Sequence, residues 1–155
     1  MPILESNIFI TGNLEDLICT QKDISEWVQA LIDAEEGLDE LITAKNINFS
    51  FVSEEEIRKL NLTFLKKDKP TNVLSFPSPA TDLNQDLLGD IAICIDIIKK
   101  ESLEQGKEAA DHLIHIILHS VLHLVGYDHE DEASANKMEL LEISTLKKIG
   151  IANPY

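Results

Sequence analysis

Apolar and polar residues alternate with a period of two in the first half of the chain. The segments 3–10 and 47–52 (INFSFV) follow this pattern, which predicts an edge strand and a half-buried strand. Two apolar runs predict a third strand at 73–76 and a buried, central strand at 89–95. We expect 78–86 (SPATDLNQD), between these two strands, to be a loop.

Elsewhere the apolar residues recur every three or four positions, as on one face of a helix. One such stripe begins at Ile24 and predicts a helix that ends near Gly37. Ser53, with Glu56 three residues later, predicts a capping box and a short helix to about Leu60. Asp96 is the predicted cap of a helix that runs to Gly106.

The second half of the chain predicts two longer helices. The first spans about 107–125, and the second spans about 131–149 and ends at Gly150. The second helix is expected to bury Met138, Leu141, Thr145 and Ile149. Because strands come early and helices late, we expect an α+β fold: a small mixed β-sheet of about four strands with helices packed on it. At 155 residues, the chain is long enough for one domain over residues 1–155.

The charge of the chain is unevenly distributed. A formal net charge of −15 argues against binding to nucleic acid when taken alone. However, Lys66, Lys67 and Lys69 belong to a basic segment between Arg58 and Lys69, in which Asp68 is the sole acid. A solvated loop is the simpler interpretation of these lysines, and an RNA-attracting loop is the alternative.

Two features indicate a cytoplasmic protein without a membrane partner. No segment approaches the roughly 18 apolar residues of a membrane span, and the start of the chain lacks the basic region of a signal peptide. The two cysteines, Cys19 and Cys94, are not expected to form a disulfide, which fits a reducing compartment.

The segment 119–129 (HSVLHLVGYDH) carries the clearest candidate chemistry. His119 and His123 are four residues apart in a predicted helix, so both imidazoles point the same way. Gly126 can end this helix in a left-handed conformation and allow His129 to meet the other two. Three neutral imidazoles with one open position have the layout of a catalytic zinc site, so we predict that these three residues bind one Zn²⁺ ion.

The remaining candidates are less specific. His115 lies one turn before His119 and could be a fourth ligand, although a supporting role beside the ligands leaves the open position that catalysis needs. His112 is expected to lie farther away. Asp128 is a candidate partner or proton acceptor in the site, and an Asx-type turn is an equally good interpretation.

The histidine spacing matches that of metzincin peptidases, H-E-x-x-H-x-x-G-x-x-H. In those enzymes a glutamate after the first histidine is the general base, and here that position is Ser120. Serine is no base at neutral pH, so peptidase action of this type is not expected. Zinc can still lower the pKa of a bound water to about 7 without that glutamate.

Three blocks together resemble the YbeY family of bacterial metal-dependent endoribonucleases. HSVLHLVGYDH is similar to the family signature H-G-x-L-H-L-x-G-Y-D-H. The segments 60–77 (LNLTFLKKDKPTNVLSFP) and 87–94 (LLGDIAIC) resemble two further family blocks in the same order. The resemblance implies an α+β fold, zinc bound by His119, His123 and His129, and hydrolysis of single-stranded RNA.

The resemblance also implies a role in maturation of the 16S rRNA 3′ end and in ribosome quality control. Its implied partners are ribosomal RNA, proteins of the small ribosomal subunit and an assembly GTPase. The chain departs from these family blocks at four positions. Phe64 and Leu65 stand in place of a Tyr-Arg pair whose arginine is thought to bind the scissile phosphate. Ser120 replaces a glycine, and Asn72 replaces a common aspartate.

Three functions remain open from the sequence. The first is a metal-dependent endoribonuclease in which Lys66, or a neighbouring lysine, draws in the RNA backbone as a point charge. Leu65 and the acidic composition favour the second, a ribosome assembly factor with weak or no catalysis, because an acidic protein suits basic ribosomal proteins. The third is another zinc hydrolase, which the absence of a glutamate at position 120 makes less attractive.

Overall fold

A four-stranded mixed sheet runs through the computed structural model, which describes residues 2–15, 18–79 and 86–155. The strands are β1 (Ile8–Gly12), β2 (Asn46–Phe51), β3 (Val73–Pro77) and β4 (Leu87–Ile93). Their order in the sheet is β1-β2-β4-β3, with β1 and β4 parallel to β2, and with β3 antiparallel to β4. This arrangement confirms the α+β prediction, with β1 at an edge and β4 in the interior.

Strand β2 turns one buried apolar face toward the larger core. Its residues alternate between buried Ile47, Phe49 and Phe51 and half-buried polar side chains. Phe49 lies opposite Ile91 of β4, so their side chains extend the same buried face. The predicted half-buried strand is therefore confirmed, and it anchors the larger of the two cores.

Six α-helices surround the sheet in the described part of the chain. They are α1 (Gln21–Ala34), α2 (Leu38–Ile42), α3 (Glu54–Leu65), α4 (Ile95–Gln105), α5 (Ala109–Leu124) and α6 (Glu132–Ile149). Helices α1, α5 and α6 pack against one another over the larger core, and α4 packs against α5. Helix α3 covers a smaller cluster on the other face, formed around Ile57, Leu74, Ala92 and Cys94.

Helix ends largely follow the predicted signals. The Ser53 hydroxyl accepts a hydrogen bond from the Glu56 amide at 3.1 Å, which is one of the two bonds of the predicted capping box. Asp131 caps α6 through the Ser134 amide at 2.7 Å, and α6 ends at Gly150 in the left-handed conformation (φ 93°). Local side-chain chemistry therefore places these helix boundaries correctly.

Several predicted boundaries are wrong. The first strand begins at Ile8 because Glu5–Asn7 form a short 3-10 helix. The cap of α4 is Cys94, whereas Asp96 lies in the first helical turn. Gly37 does not end the preceding helix. It is the N-cap of α2, a short helix that the sequence did not predict. Part of the predicted loop, residues 80–85, lies outside the described residues.

Helix α3 continues five residues beyond the predicted end at Leu60. Asn61 is buried, and its amide donates to the Lys69 carbonyl at 2.9 Å, which attaches the extra turn to the following loop. Lys66 then ends the helix in the left-handed conformation (φ 60°). The extension matters because it carries Leu65 to the end of the helix.

The remaining expectations concern cysteines, burial and membranes. Cys19 and Cys94 are buried and unpaired, as predicted. Met138, Leu141 and Thr145 are buried as expected, but Ile149 is half-buried at the end of α6. No helix among the described residues is long and apolar enough to cross a membrane.

Candidate metal centre

Helix α5 presents His119 and His123 on one face while most of its other residues enter the core. Ile116, Ile117, Leu118, Val121 and Leu122 are buried around the two histidines. The Nε2 atoms of His119 and His123 lie 2.9 Å apart. A buried apolar helix thus places two ring nitrogens together at the edge of the core.

The turn after α5 brings in the third histidine. Gly126 has φ 100°, its amide donates to the His123 carbonyl at 3.1 Å, and the Tyr127 amide donates to the Leu122 carbonyl at 3.0 Å. This pair of bonds is a Schellman motif, which favours glycine at the left-handed position. The chain reverses, and ligand atoms of His119, His123 and His129 lie within 4.8 Å of one another.

The other ring nitrogens of the two helical histidines face acceptors. His119 Nδ1 lies 2.5 Å from Glu142 Oε1, and His123 Nδ1 lies 2.9 Å from the Tyr127 carbonyl oxygen. A carbonyl and an ionised carboxylate only accept, so each Nδ1 carries the proton and each Nε2 keeps its lone pair.

Two imidazole lone pairs that face each other at 2.9 Å cannot bond to one another. A cation shared between them satisfies both, and zinc accepts neutral imidazole nitrogens at about 2.0–2.1 Å. The donor set therefore fits a divalent metal. Burial and the neighbouring His119 and His129 also lower the pKa of His123, which favours the neutral form that binds metal.

Glu142 is the main site residue that the sequence analysis missed. It lies on α6, is fully buried, and contacts His119 from 23 positions away along the chain. Burial acts to raise its pKa, but hydrogen bonds from His115, His119 and Tyr155 outweigh this effect and hold the pKa at about 2. Its position among buried residues of α6 was the available signal, since an acid in an apolar stripe requires partners.

An open cleft of about 390 Å³ adjoins the two helical histidines. Leu65, at the end of α3, lies on one side, and β3 forms another part of the wall. The lining residues are Leu65, Val73, Leu74, Ser75, Pro77, His119 and His123. A ligand in this cleft would reach the histidines and Leu65 together.

The similarity of the whole chain to known proteins decides the family. The family model described as Endoribonuclease YbeY matches residues 10–150. The chain belongs to the YbeY family.

Relatives named Endoribonuclease YbeY match nearly all of the chain. The relative from Vesicomyosocius okutanii is 43% identical, and the alignment covers 100% of both chains. The relative from Francisella tularensis subsp. novicida is 40% identical over 96% of this chain and 92% of its own length. The solution structure of TM1509 from Thermotoga maritima is 26% identical, with a TM-score of 0.53 and coverage of 92% and 91%.

The structure locates the two candidate catalytic residues of this YbeY family member. Lys66 follows the cleft residue Leu65, and its Nζ donates to the Thr63 carbonyl at 3.2 Å. Asp128 lies in the turn before His129, where its Oδ1 accepts from the Glu130 amide at 3.2 Å. That contact is the Asx-type turn of the alternative interpretation, and the catalytic roles of both residues stay predictions.

The histidines upstream of the metal centre have different surroundings. His115 Nε2 lies 3.6 Å from Glu142 Oε1 and 3.3 Å from the Tyr155 hydroxyl. His112 is buried, and its Nε2 lies 3.4 Å from Glu101 Oε1. Neither histidine belongs to the cluster of described residues that could hold a metal ion. His115 lies beside the ligands because it contacts Glu142, the partner of His119, whereas His112 contacts Glu101 instead.

Proposed function

We propose that this protein is a zinc-dependent endoribonuclease that hydrolyses single-stranded RNA. The observation that supports this proposal most directly is the convergence of His119, His123 and His129, with two Nδ1 atoms held by acceptors. The names of its relatives in the YbeY family supply the reaction class. By the same resemblance, we propose action in 16S rRNA 3′-end maturation and in ribosome quality control.

In this proposal each part of the chain has a defined task. The three histidines would hold Zn²⁺, and Glu142 and the Tyr127 carbonyl keep two of the rings oriented. When bound, zinc would supply Lewis acidity for activating water and polarising a phosphoryl oxygen. A carboxylate oxygen of Asp128, which precedes His129 in the turn, would accept the proton that the attacking water loses.

RNA would approach along the cleft beside Leu65. Lys66 comes next in the chain, and the exposed Lys67 and Lys69 extend the positive charge. Their attraction for the phosphate backbone offsets the repulsion from a chain of net charge −15. Arg58 contributes less, because its guanidinium is paired with Asp68 at 2.8 Å.

The decisive experiment measures cleavage of a single-stranded rRNA fragment by highly purified protein. Wild type is compared with His119→Ala, and a duplex of the same sequence tests strand specificity. We expect cleavage of the single strand by wild type and its loss in the variant. Equal cleavage by both proteins would contradict a catalytic role for the metal centre.

A second candidate function is favoured by the position of Leu65. This side chain lines the cleft beside the histidines, where a guanidinium would provide a bidentate phosphate contact and leucine provides none. A ribosome assembly factor with weak or no catalysis is therefore the alternative, with small-subunit proteins and an assembly GTPase as partners. Rescue of ribosome defects in cells by His119→Ala would support it, whereas robust turnover by wild type would exclude it.

A further inference from the structure

The segment after α6 folds back toward the metal centre. The Ile151 amide donates to the Leu146 carbonyl at 2.8 Å and begins the reversal. Lys107, next to the start of α5, donates from Nζ to the Pro154 carbonyl at 2.9 Å. These two contacts hold residues 151–155 beside α5 and bring the Tyr155 side chain over the buried end of Glu142.

Tyr155 completes the hydrogen bonding of the Glu142 carboxylate. Its hydroxyl lies 2.5 Å from Glu142 Oε2, while Glu142 Oε1 lies 2.5 Å from His119 Nδ1. Because an ionised carboxylate only accepts, the phenol donates to one oxygen and the imidazole donates to the other. His115 contacts the same pair, with its Nε2 3.3 Å from the hydroxyl and its ring edge-on to the Tyr155 ring.

We propose that Tyr155 is a positioning residue for the metal ligand His119 and acts through Glu142. The Glu142 side chain is fully buried, and the Tyr155 hydroxyl is the donor that contacts its Oε2. Without the phenol, Oε2 loses this donor and the carboxylate can turn toward another one, which weakens its hold on His119 Nδ1.

The consequence for metal binding follows from the tautomer of His119. The bond to Glu142 keeps the proton on Nδ1 and leaves the Nε2 lone pair directed at His123 Nε2. If that bond weakens, the tautomer with a proton on Nε2 becomes more populated, and that form cannot bind the ion. The inference rests on the metal binding proposed above and is independent of RNA cleavage.

The test uses Tyr155→Phe, which removes the hydroxyl and keeps the aromatic ring beside His115. The zinc dissociation constant is measured by competition with a chromophoric chelator, and we expect it to rise by about tenfold, at the lower end of the range for partners of metal ligands. In the metal-free variant, long-range ¹H–¹⁵N spectra should show more of the Nε2–H tautomer of His119. The full chain is used throughout.

Ser144→Ala is the matched control. It also removes one hydroxyl, two residues from Glu142, but Ser144 Oγ donates to the Leu141 carbonyl of its own helix. This variant should bind zinc as wild type does.

Two outcomes would overturn the inference while leaving the zinc proposal intact. One is an unchanged dissociation constant and an unchanged tautomer in Tyr155→Phe. The other is equal weakening in Ser144→Ala, which would assign the effect to general loosening of α6. Absence of zinc binding by wild type would instead overturn the zinc proposal itself, and this inference with it.

Discussion

Replacing Leu65 with arginine tests the proposal that RNA binds in the cleft. The Leu65 side chain is 51% exposed and lines the same cleft as His119 and His123, so an arginine there needs no buried space and can reach a phosphate beside the histidines. We expect Leu65→Arg to raise kcat/KM for single-stranded RNA and to leave protein stability nearly unchanged.

The magnitude follows from the exposure of the site. A hydrogen bond to a charged group contributes about 1.5–3 kcal/mol, and about 1.4 kcal/mol corresponds to a factor of ten in rate. Because Leu65 is half exposed, water and salt weaken the new contact, and the lower end of this range applies. The expected gain is therefore about tenfold at low salt. One added phosphate contact should also steepen the dependence of log affinity on log salt by about 0.7.

The assay measures cleavage of a fluorescent single-stranded RNA at several salt concentrations. Leu103→Arg is the matched control, because Leu103 also lies in the last turn of a helix, is 84% exposed, and is not a lining residue of the cleft. The double variant Leu65→Arg/His119→Ala must be inactive, which excludes contaminating nuclease. An equal gain from Leu103→Arg, or no gain from Leu65→Arg, would refute a local phosphate contact.

Three further predictions concern packing and buried groups. Gly89→Ala should lower the free energy of unfolding by about 1–3 kcal/mol, measured by urea denaturation, because its Cβ would lie 2.6 Å from the Phe76 carbonyl oxygen and 2.7 Å from Leu124 Cδ2. Ser120→Glu should destabilise the fold by several kcal/mol and give no peptidase activity in a casein assay, since Ser120 is fully buried and its hydroxyl donates within α5. Burial raises the pKa of Cys19 to about 12, so the thiol stays protonated at pH 8, and Ellman's reagent should modify it only after unfolding.

Local chemistry accounts for the parts of the fold that the sequence predicted well. The alternation of β2 and the caps at Ser53 and Asp131 depend on neighbouring residues, so they can be identified from a few positions. The same holds for the reversal at Gly126. Where tertiary packing decides, prediction failed: α3 runs on to Leu65 because a buried Asn61 attaches it to the following loop.

The metal centre likewise has a part that the local sequence predicts and a part that depends on tertiary packing. His119, His123 and His129 lie within eleven residues, and one helical turn with a Schellman motif is enough to bring them together. The residue that orients His119 belongs to a different helix, and its identity depends on how α6 packs against α5. In the sequence, Glu142 is one of several acids between Glu130 and Glu142, and most acids there are exposed.

The residues proposed to bind phosphate and those proposed to bind metal belong to separate parts of this chain. The groups that orient the imidazoles, Glu142 and the Tyr127 carbonyl, approach from α6 and from the turn, whereas Leu65 approaches from α3 across the cleft. A substitution at position 65 can therefore change the affinity for RNA without disturbing the ligands. The absence of an arginine at position 65 is compatible with an intact metal centre, and it makes RNA affinity, rather than metal affinity, the property that Leu65→Arg should change.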